Sequence, residues 1–375
     1  MVVRYESPLA GALGNLASSL VSPLPQIVLQ RLAALTCCLV ALVALSSAGS
    51  LRGQGGQAQQ GVVKRLAGNG VPTLQSIGQA VLTQDYTVEQ LRRFRRADGS
   101  VVTVRELLQV QSNNTFQPQS ALTFLGVEGE PPGSPLSQEW QQTYARYSSV
   151  LVRNGSFQVR DLSRAGNNYT LHDFGQVLRA GRIARRMVVF PNTVDKAIWV
   201  VDVDGLTNVP LFVAEFDNQL KLFAEIEAVN FSGGVQNMSP AASMQAVTPV
   251  ADFAAGSAFL GGPAGLVDPD ILAVVADYGL DSVEVYQDPL NGREKLVMNY
   301  TDGIDQFMVV QTVNVSDPFG SLPGSSANVI GRFRDPALSA LVFWDDDVTF
   351  HVAGRGALRR LDDVASRIYR QALSQ

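Results

Sequence analysis

The chain has 375 residues, 46% of them hydrophobic and 17% charged, with a formal net charge of −5. At roughly 100–200 residues per domain this length predicts two or three domains with a sizeable core, and the composition excludes a mainly disordered chain. The acidic balance and the scatter of Lys and Arg argue against a nucleic-acid binder, and two adjacent cysteines, Cys37 and Cys38, exclude a disulfide scaffold or a thiolate zinc centre.

Residues 32–45 form an uncharged, almost wholly apolar run, preceded by Arg31 and followed by Ser46-Ser47-Ala48. A positive flank, an apolar stretch and small residues, in that order, predict a secretory signal cleaved after Ala48. The run falls short of the ~20 residues that span a bilayer, and an uncleaved anchor is the alternative. Residues 1–48 are therefore read as signal or anchor and 49–65 as a flexible tether, so the chain is expected to act in the periplasm or outside the cell.

A first domain is expected over 66–231. It opens with a helix at Leu74 to Leu82, where Leu74, Ile77 and Val81 keep helical spacing. Hairpins follow. Val88 to Arg96 and Ser100 to Val110 flank Ala97-Asp98-Gly99; Val150 to Val152 and Phe157 to Leu162 flank Asn154-Gly155; Met187 to Phe190 and Ala197 to Val203 flank Pro191-Asn192. In the last pair, Leu211 to Phe216 and Leu220 to Phe231, which turn at Asp217-Asn218, the residues Leu220, Leu222, Ala224, Ile226 and Ala228 alternate with Lys221, Glu225 and Glu227. Period two with one polar side predicts an antiparallel sheet with one buried face. Phe212, Ala214 and Phe216 are read as the matching apolar stripe on the preceding strand.

Residues 232–265 are rich in small residues and are expected to be a linker. A second domain over 266–375 is predicted to hold strands at 281–287, 294–300, 306–315, 338–344 and 347–353, with tight turns at Asn291-Gly292 and Asp302-Gly303. A closing helix places Leu358, Leu361, Val364, Ala365, Ile368 and Ala372 on one face. The fold class is α+β: an antiparallel curved sheet shaped as a half-barrel, then a smaller antiparallel sheet plus a C-terminal helix.

Catalytic spacings are absent from the sequence. No phosphate-cradling loop, dinucleotide fingerprint or Gly-X-Ser-X-Gly elbow occurs. Asp345-Asp346-Asp347, and Asp202 with Asp204 and Gly205, are read as turns rather than calcium loops. His172 and His351 fall in different expected domains, and His351 is read as structural. A non-enzymatic protein without metal or cofactor is expected. Two basic clusters, Arg92, Arg93, Arg95 and Arg96, and Arg182, Arg185 and Arg186, could meet an anionic headgroup or an acidic partner, a solvated outer face being the alternative. Asn-X-Ser/Thr triplets begin at Asn113, Asn154, Asn168, Asn230, Asn237, Asn299 and Asn314, which leaves a structural or adhesive secreted glycoprotein as the second functional reading.

The run Ala180-Gly181-Arg182-Ile183-Ala184-Arg185-Arg186-Met187-Val188-Val189 resembles the Ala-Gly-Arg-X-X-X-Arg strand of the MucB/RseB sigma-factor regulators. As in that family, a strand ending Trp199-Val200-Val201-Asp202 follows, then Gly205-Leu206, Pro210-Leu211 and the hairpin 211–231. Met298 to Ile304 and Val348 to Tyr369 are similar to the smaller domain of those regulators, and equally to small exported domains with a Trp-Asp-Asp hairpin. The resemblance spans about 170–375, more loosely 74–110, and extends to the outer-membrane lipoprotein carriers that share the fold. It implies a binding protein whose sheet cradles a lipid or lipoprotein acyl chain against Phe94, Trp199, Phe212, Phe216, Leu222 and Ile226. It further implies a membrane-bound anti-sigma factor as partner, met by Arg182, Arg185 and Arg186.

Overall fold

The computed structural model describes residues 71–375 apart from 96–98, 113–118, 156, 194–195, 218–219, 236–246, 263–264, 273, 288–292, 314–330, 336–337, 346–347, 355–357, 373 and 375. The expected signal, the tether, and the turns at Asn291-Gly292 and Asp346-Asp347 lie outside the described residues.

Helix α1 (Leu74–Thr83) starts at Thr73, whose hydroxyl accepts from the Ser76 amide while Ser76 answers in a capping box. Strands β1 (Tyr86–Arg95), β2 (Val101–Gln111) and β3 (Gln119–Val127) form an antiparallel meander. Helices α2 (Pro135–Gly155) and α3 (Leu162–Asn168) follow. Strands β4 (Tyr169–Arg179), β5 (Arg182–Pro191), β6 (Ile198–Asp204), β7 (Pro210–Phe216) and β8 (Leu222–Gly233) form a second meander. The two meanders join where β1 pairs with β8, giving an open, curved eight-stranded sheet in the order β3-β2-β1-β8-β7-β6-β5-β4.

That order has a consequence for the helices. Strands β3 and β4 are the two edges of the sheet, so the chain between them must cross its full width over one face. Helices α2 and α3 lie on that crossing and cover the face beneath them, while the central strands β6 and β7 are buried on both faces.

Helix α2 corrects the hairpin expected around Asn154-Gly155. Pro135 suits the first helical position, and Leu136, Trp140, Tyr144 and Leu151 recur at helical spacing and pack into the core. The aromatic residues and the Asn-Gly pair carry a strand signal that this longer period overrides.

The second sheet contains β9 (Val247–Val250), β10 (Gly279–Gln287), β11 (Glu294–Thr301), β12 (Gln306–Val313), β13 (Gly331–Asp335), β14 (Leu338–Asp345) and β15 (Val348–Gly354), in the order β13-β14-β15-β12-β11-β10-β9. Strand β9 pairs with β10, so this sheet begins inside the stretch expected as a linker, which also holds the short helix α4 (Phe253–Phe259). Helix α5 (Leu358–Ala372) buries Leu361, Val364, Ala365, Ile368 and Ala372 against Val283, Leu296, Met298, Val309, Phe350 and Val352. The molecule is thus an α+β protein of two antiparallel sheets, the smaller closed by the C-terminal helix. Residues 66–375 form one compact unit.

Candidate binding face and inter-sheet junction

In paired strands, residues directly opposite one another share a face. Val213 lies opposite Ile226, and Phe212 opposite Glu227. The two faces of the large sheet follow from this register.

The helix-covered face carries two neighbouring apolar clusters. Under α2, Phe94 stacks on Trp140 with ring centroids 4.5 Å apart, and Tyr144 packs against Phe124 at 5.4 Å. Val104, Leu108, Val110 and Leu122 are among the other members of this cluster. Under α1 and α3, Trp199 packs edge-on to Phe157 at 5.6 Å, among Ile77, Ala165, Met187, Val189 and Val201.

A charged group is buried within the α2 end. Glu106 of β2 is fully buried and accepts from the Arg92 guanidinium at 2.9 and 3.1 Å, from Gln90 at 2.6 Å, and from the Tyr144 hydroxyl of α2. Burial, with the Glu106 carboxylate beside it, pushes the Tyr144 hydroxyl up, so it stays protonated and donates. Burial alone would pull the Arg92 guanidinium down, but Glu106 outweighs it and holds it up. Arg92 therefore belongs to the interior, whereas Arg93 reaches Glu225 and Glu227 on the other side of the sheet. The Trp140 indole N–H, also buried, has no hydrogen-bond partner among the described residues.

The opposite face is a field of ion pairs. Asp202 is fully buried and takes Arg186 in a two-pronged pair at 2.7 and 2.8 Å, and Arg179 at 2.6 Å. Arg182 grips Asp204 the same way at 2.7 and 2.9 Å, whereas Arg185, which shares a face with Val203 and Met187, holds Asp173 at 3.0 Å on the helix-covered side. Burial raises the Asp204 carboxyl, but Arg182 and the Thr207 hydroxyl and amide outweigh it and hold it below the usual carboxylate range. Asp204 thereby closes the turn that begins at Asp204-Gly205, whereas Asp202, read with them as turn, is a buried residue of β6.

The residues expected to line a ligand are divided by this arrangement. Phe94, Trp199 and Ile226 lie on the helix-covered face. Phe212 lies under the Arg179 guanidinium, 4.3 Å from its ring centre, on the opposite face. The expected single stripe joining Phe212 to Ile226 is corrected by the register, which places Val213 beside Ile226 instead. Leu222 sits past a register shift, opposite Phe216. Arg182, Arg185 and Arg186 are each engaged by a carboxylate of the same sheet.

A second constellation joins the two sheets. Lys196, at the approach to β6, is buried and ion-paired to Asp302 at 2.8 Å and to Asp277. Its ammonium lies 5.3 Å from the Tyr169 ring centre and 5.7 Å from that of Tyr278. The Tyr169 hydroxyl donates to Asp302 at 2.8 Å, the Asn168 amide to the Asp302 carbonyl at 2.8 Å, and the Arg160 amide to the Gly303 carbonyl at 2.9 Å. Asp302 and Gly303 open the β11–β12 turn, and the next residue, Ile304, is buried in the first sheet's cluster with Trp199. Nothing in the spacing of the sequence linked Lys196 to Asp302.

Three of the glycan-acceptor asparagines can be placed. Asn230 is exposed, whereas Asn168 is tied into the junction and Asn299 is buried and donates to Ser282. No helix among the described residues is long and apolar enough to cross a membrane, and they hold no cluster of ligating side chains suited to a metal ion.

Fold and face together define an α+β protein with a helix-covered curved sheet docked to a second sheet. No family model matches the chain, and no curated protein matches it. Among solved structures it is similar to MucB, over 78% of this chain and 95% of that one at 15% identity, with a TM-score of 0.42. The MucA/MucB complex of Pseudomonas aeruginosa aligns over the same shares at 15% identity and a TM-score of 0.40. A putative outer membrane lipoprotein-sorting protein domain from Vibrio parahaemolyticus aligns over 44% of this chain and 93% of that one, at 10% identity and a TM-score of 0.18.

Proposed function

We propose that the protein is an exported, non-enzymatic binding protein that holds an acyl chain of a lipid or lipoprotein on the helix-covered face of its large sheet. The observation that carries this reading is the α2 end of that face. A helix lays Trp140 over Phe94 and Tyr144 over Phe124 while burying an unpartnered indole N–H and a complete Arg92–Glu106–Tyr144 group. Helix α2 occupies the place an acyl chain would take, so capture exchanges its side chains for the ligand. Phe94 and Ile226 then form the floor. A membrane-bound anti-sigma factor is the protein partner of this reading, which rests for that part on the resemblance to the MucB/RseB regulators.

Magnitudes indicate the kind of ligand. Burying a methylene contributes about 0.8 kcal/mol, so a chain of some fourteen yields about 11 kcal/mol. Uncovering Trp140 and Tyr144 costs about 1.5–3 kcal/mol each, and breaking the buried Tyr144–Glu106 hydrogen bond costs about 1–3 kcal/mol more. One chain leaves little net affinity, whereas two leave ample. A diacyl ligand is favoured.

The test is calorimetric titration with a synthetic dipalmitoyl lipopeptide. The expected result is saturable binding with a negative heat-capacity change, as apolar burial requires. Absence of binding to monomeric lipopeptide contradicts the proposal.

A further inference from the structure

We propose that the β11–β12 turn of the second sheet is a fixed end wall of the binding face, with Ile304 as the residue that confines an acyl chain to the α2 end. The inference rests on the acyl-binding reading above and specifies where on the face the chain lies. The helix-covered face has two clusters, and they differ in what covers them. The Trp140 end is covered by a helix that holds the sheet through side chains. The Trp199 end is covered in part by Ile304, which enters from another sheet and is 3% exposed.

The turn that carries Ile304 has no slack. A side chain at Gly303 would collide with the backbone of Ala165 in α3, so the two backbones are in direct apposition. Asp302 is gripped by Lys196, by the Tyr169 hydroxyl and by the amides of Ile304 and Asp305 at 3.1 and 2.9 Å. Arg160 reaches Asp281 from the first sheet's side at 3.3 Å, and the Arg164 guanidinium packs on Gly279. Removing Ile304 from its site means parting the buried Lys196 ammonium from the Asp302 carboxylate, both shielded from solvent, which is far costlier than parting an aromatic stack. A ligand therefore displaces α2 before it displaces the turn. Trp199 stays covered.

Fluorescence quenching tests this. The chain has three tryptophans, Trp140, Trp199 and Trp344. Two full-length reporters, Trp199→Phe/Trp344→Phe and Trp140→Phe/Trp344→Phe, leave one emitter at each end of the face. The probe is a diacyl phospholipid with a nitroxide near one chain end, its binding followed independently by immobilisation of the nitroxide signal. Quenching several-fold stronger at Trp140 than at Trp199 is expected. Adding Ile304→Ala to the Trp199 reporter should then raise quenching there, and Ile304→Val serves if the alanine variant does not fold. Equal quenching at both ends, or no rise on trimming Ile304, overturns the end wall while leaving acyl binding standing. Absence of an immobilised signal overturns acyl binding itself, and the end wall with it.

Discussion

The Lys196 ammonium lies 2.8 Å from the Asp302 carboxylate, and the two residues sit on connections of different sheets, Lys196 just before β6 and Asp302 in the β11–β12 turn. Both side chains are fully shielded from solvent. The pair therefore acts as a pin between the sheets, in a setting where losing one partner strands the other as an uncompensated charge.

Lys196→Ala is expected to lower stability by about 3–5 kcal/mol, because Asp302 is left buried without its cation. Urea unfolding followed by far-ultraviolet circular dichroism measures it. A loss below about 1 kcal/mol contradicts the pin.

Gly303 is expected to tolerate no side chain. Its φ of +112° disfavours any L-residue, and a Cβ would run into the Ala165 backbone. Gly303→Ala should cost about 2–4 kcal/mol. Gly133 also has a positive φ, +82°, but open space around it, so Gly133→Ala should cost only about 1 kcal/mol. Thermal melts of the two variants side by side separate collision from backbone strain.

The faces of the large sheet make a paired prediction for binding. Phe94→Ala removes the floor beneath Trp140 and is expected to weaken lipopeptide binding at least tenfold. Phe212→Ala should destabilise the fold by about 3–5 kcal/mol yet leave binding unchanged, since Phe212 lies under Arg179 on the other face. Titration of both variants below their melting temperatures checks this, and equal effects on affinity contradict the assignment of faces.

Acid stability should show a histidine signature. Burial, with Lys295 nearby, pushes the His351 imidazole down from 6.5 to about 4. The unfolded chain then takes up the proton first as the pH falls. Stability is complete above about pH 6.5 and declines between 6.5 and about 4, by up to about 3 kcal/mol. Asp173 and Asp204, held low by their arginines, act in a separate window, their contribution being lost only below the usual carboxylate value of 3.8. Unfolding midpoints between pH 7 and 4.5 should therefore fall for the wild type and fall less for His351→Gln.

The second sheet was largely legible in the sequence because its strands are short apolar runs separated by turn residues, among them Asx-Gly pairs; β11, β12, β14 and β15 lie close to their expected spans. Helix α2 was not, since Trp140, Tyr144 and the Asn154-Gly155 pair carry local strand and turn preferences that yield to a period visible only over the whole helix. Alternation within β7 and β8 gave each strand two faces but could not say which face of one meets which face of the other. That depends on register, and a register shift at Glu215/Phe216 intervenes. The junction was invisible for a different reason. Lys196, Asp277 and Asp302 are distant in sequence and form no spacing motif, so only the folded chain brings them together.

The most direct measurement is native mass spectrometry of the full-length protein purified from its own membranes under mild conditions. A substoichiometric or full complement of co-purifying diacyl lipid or lipoprotein, lost from the Phe94→Ala variant, is expected. Protein that emerges free of lipid and that also fails to take up added dipalmitoyl lipopeptide would contradict acyl binding.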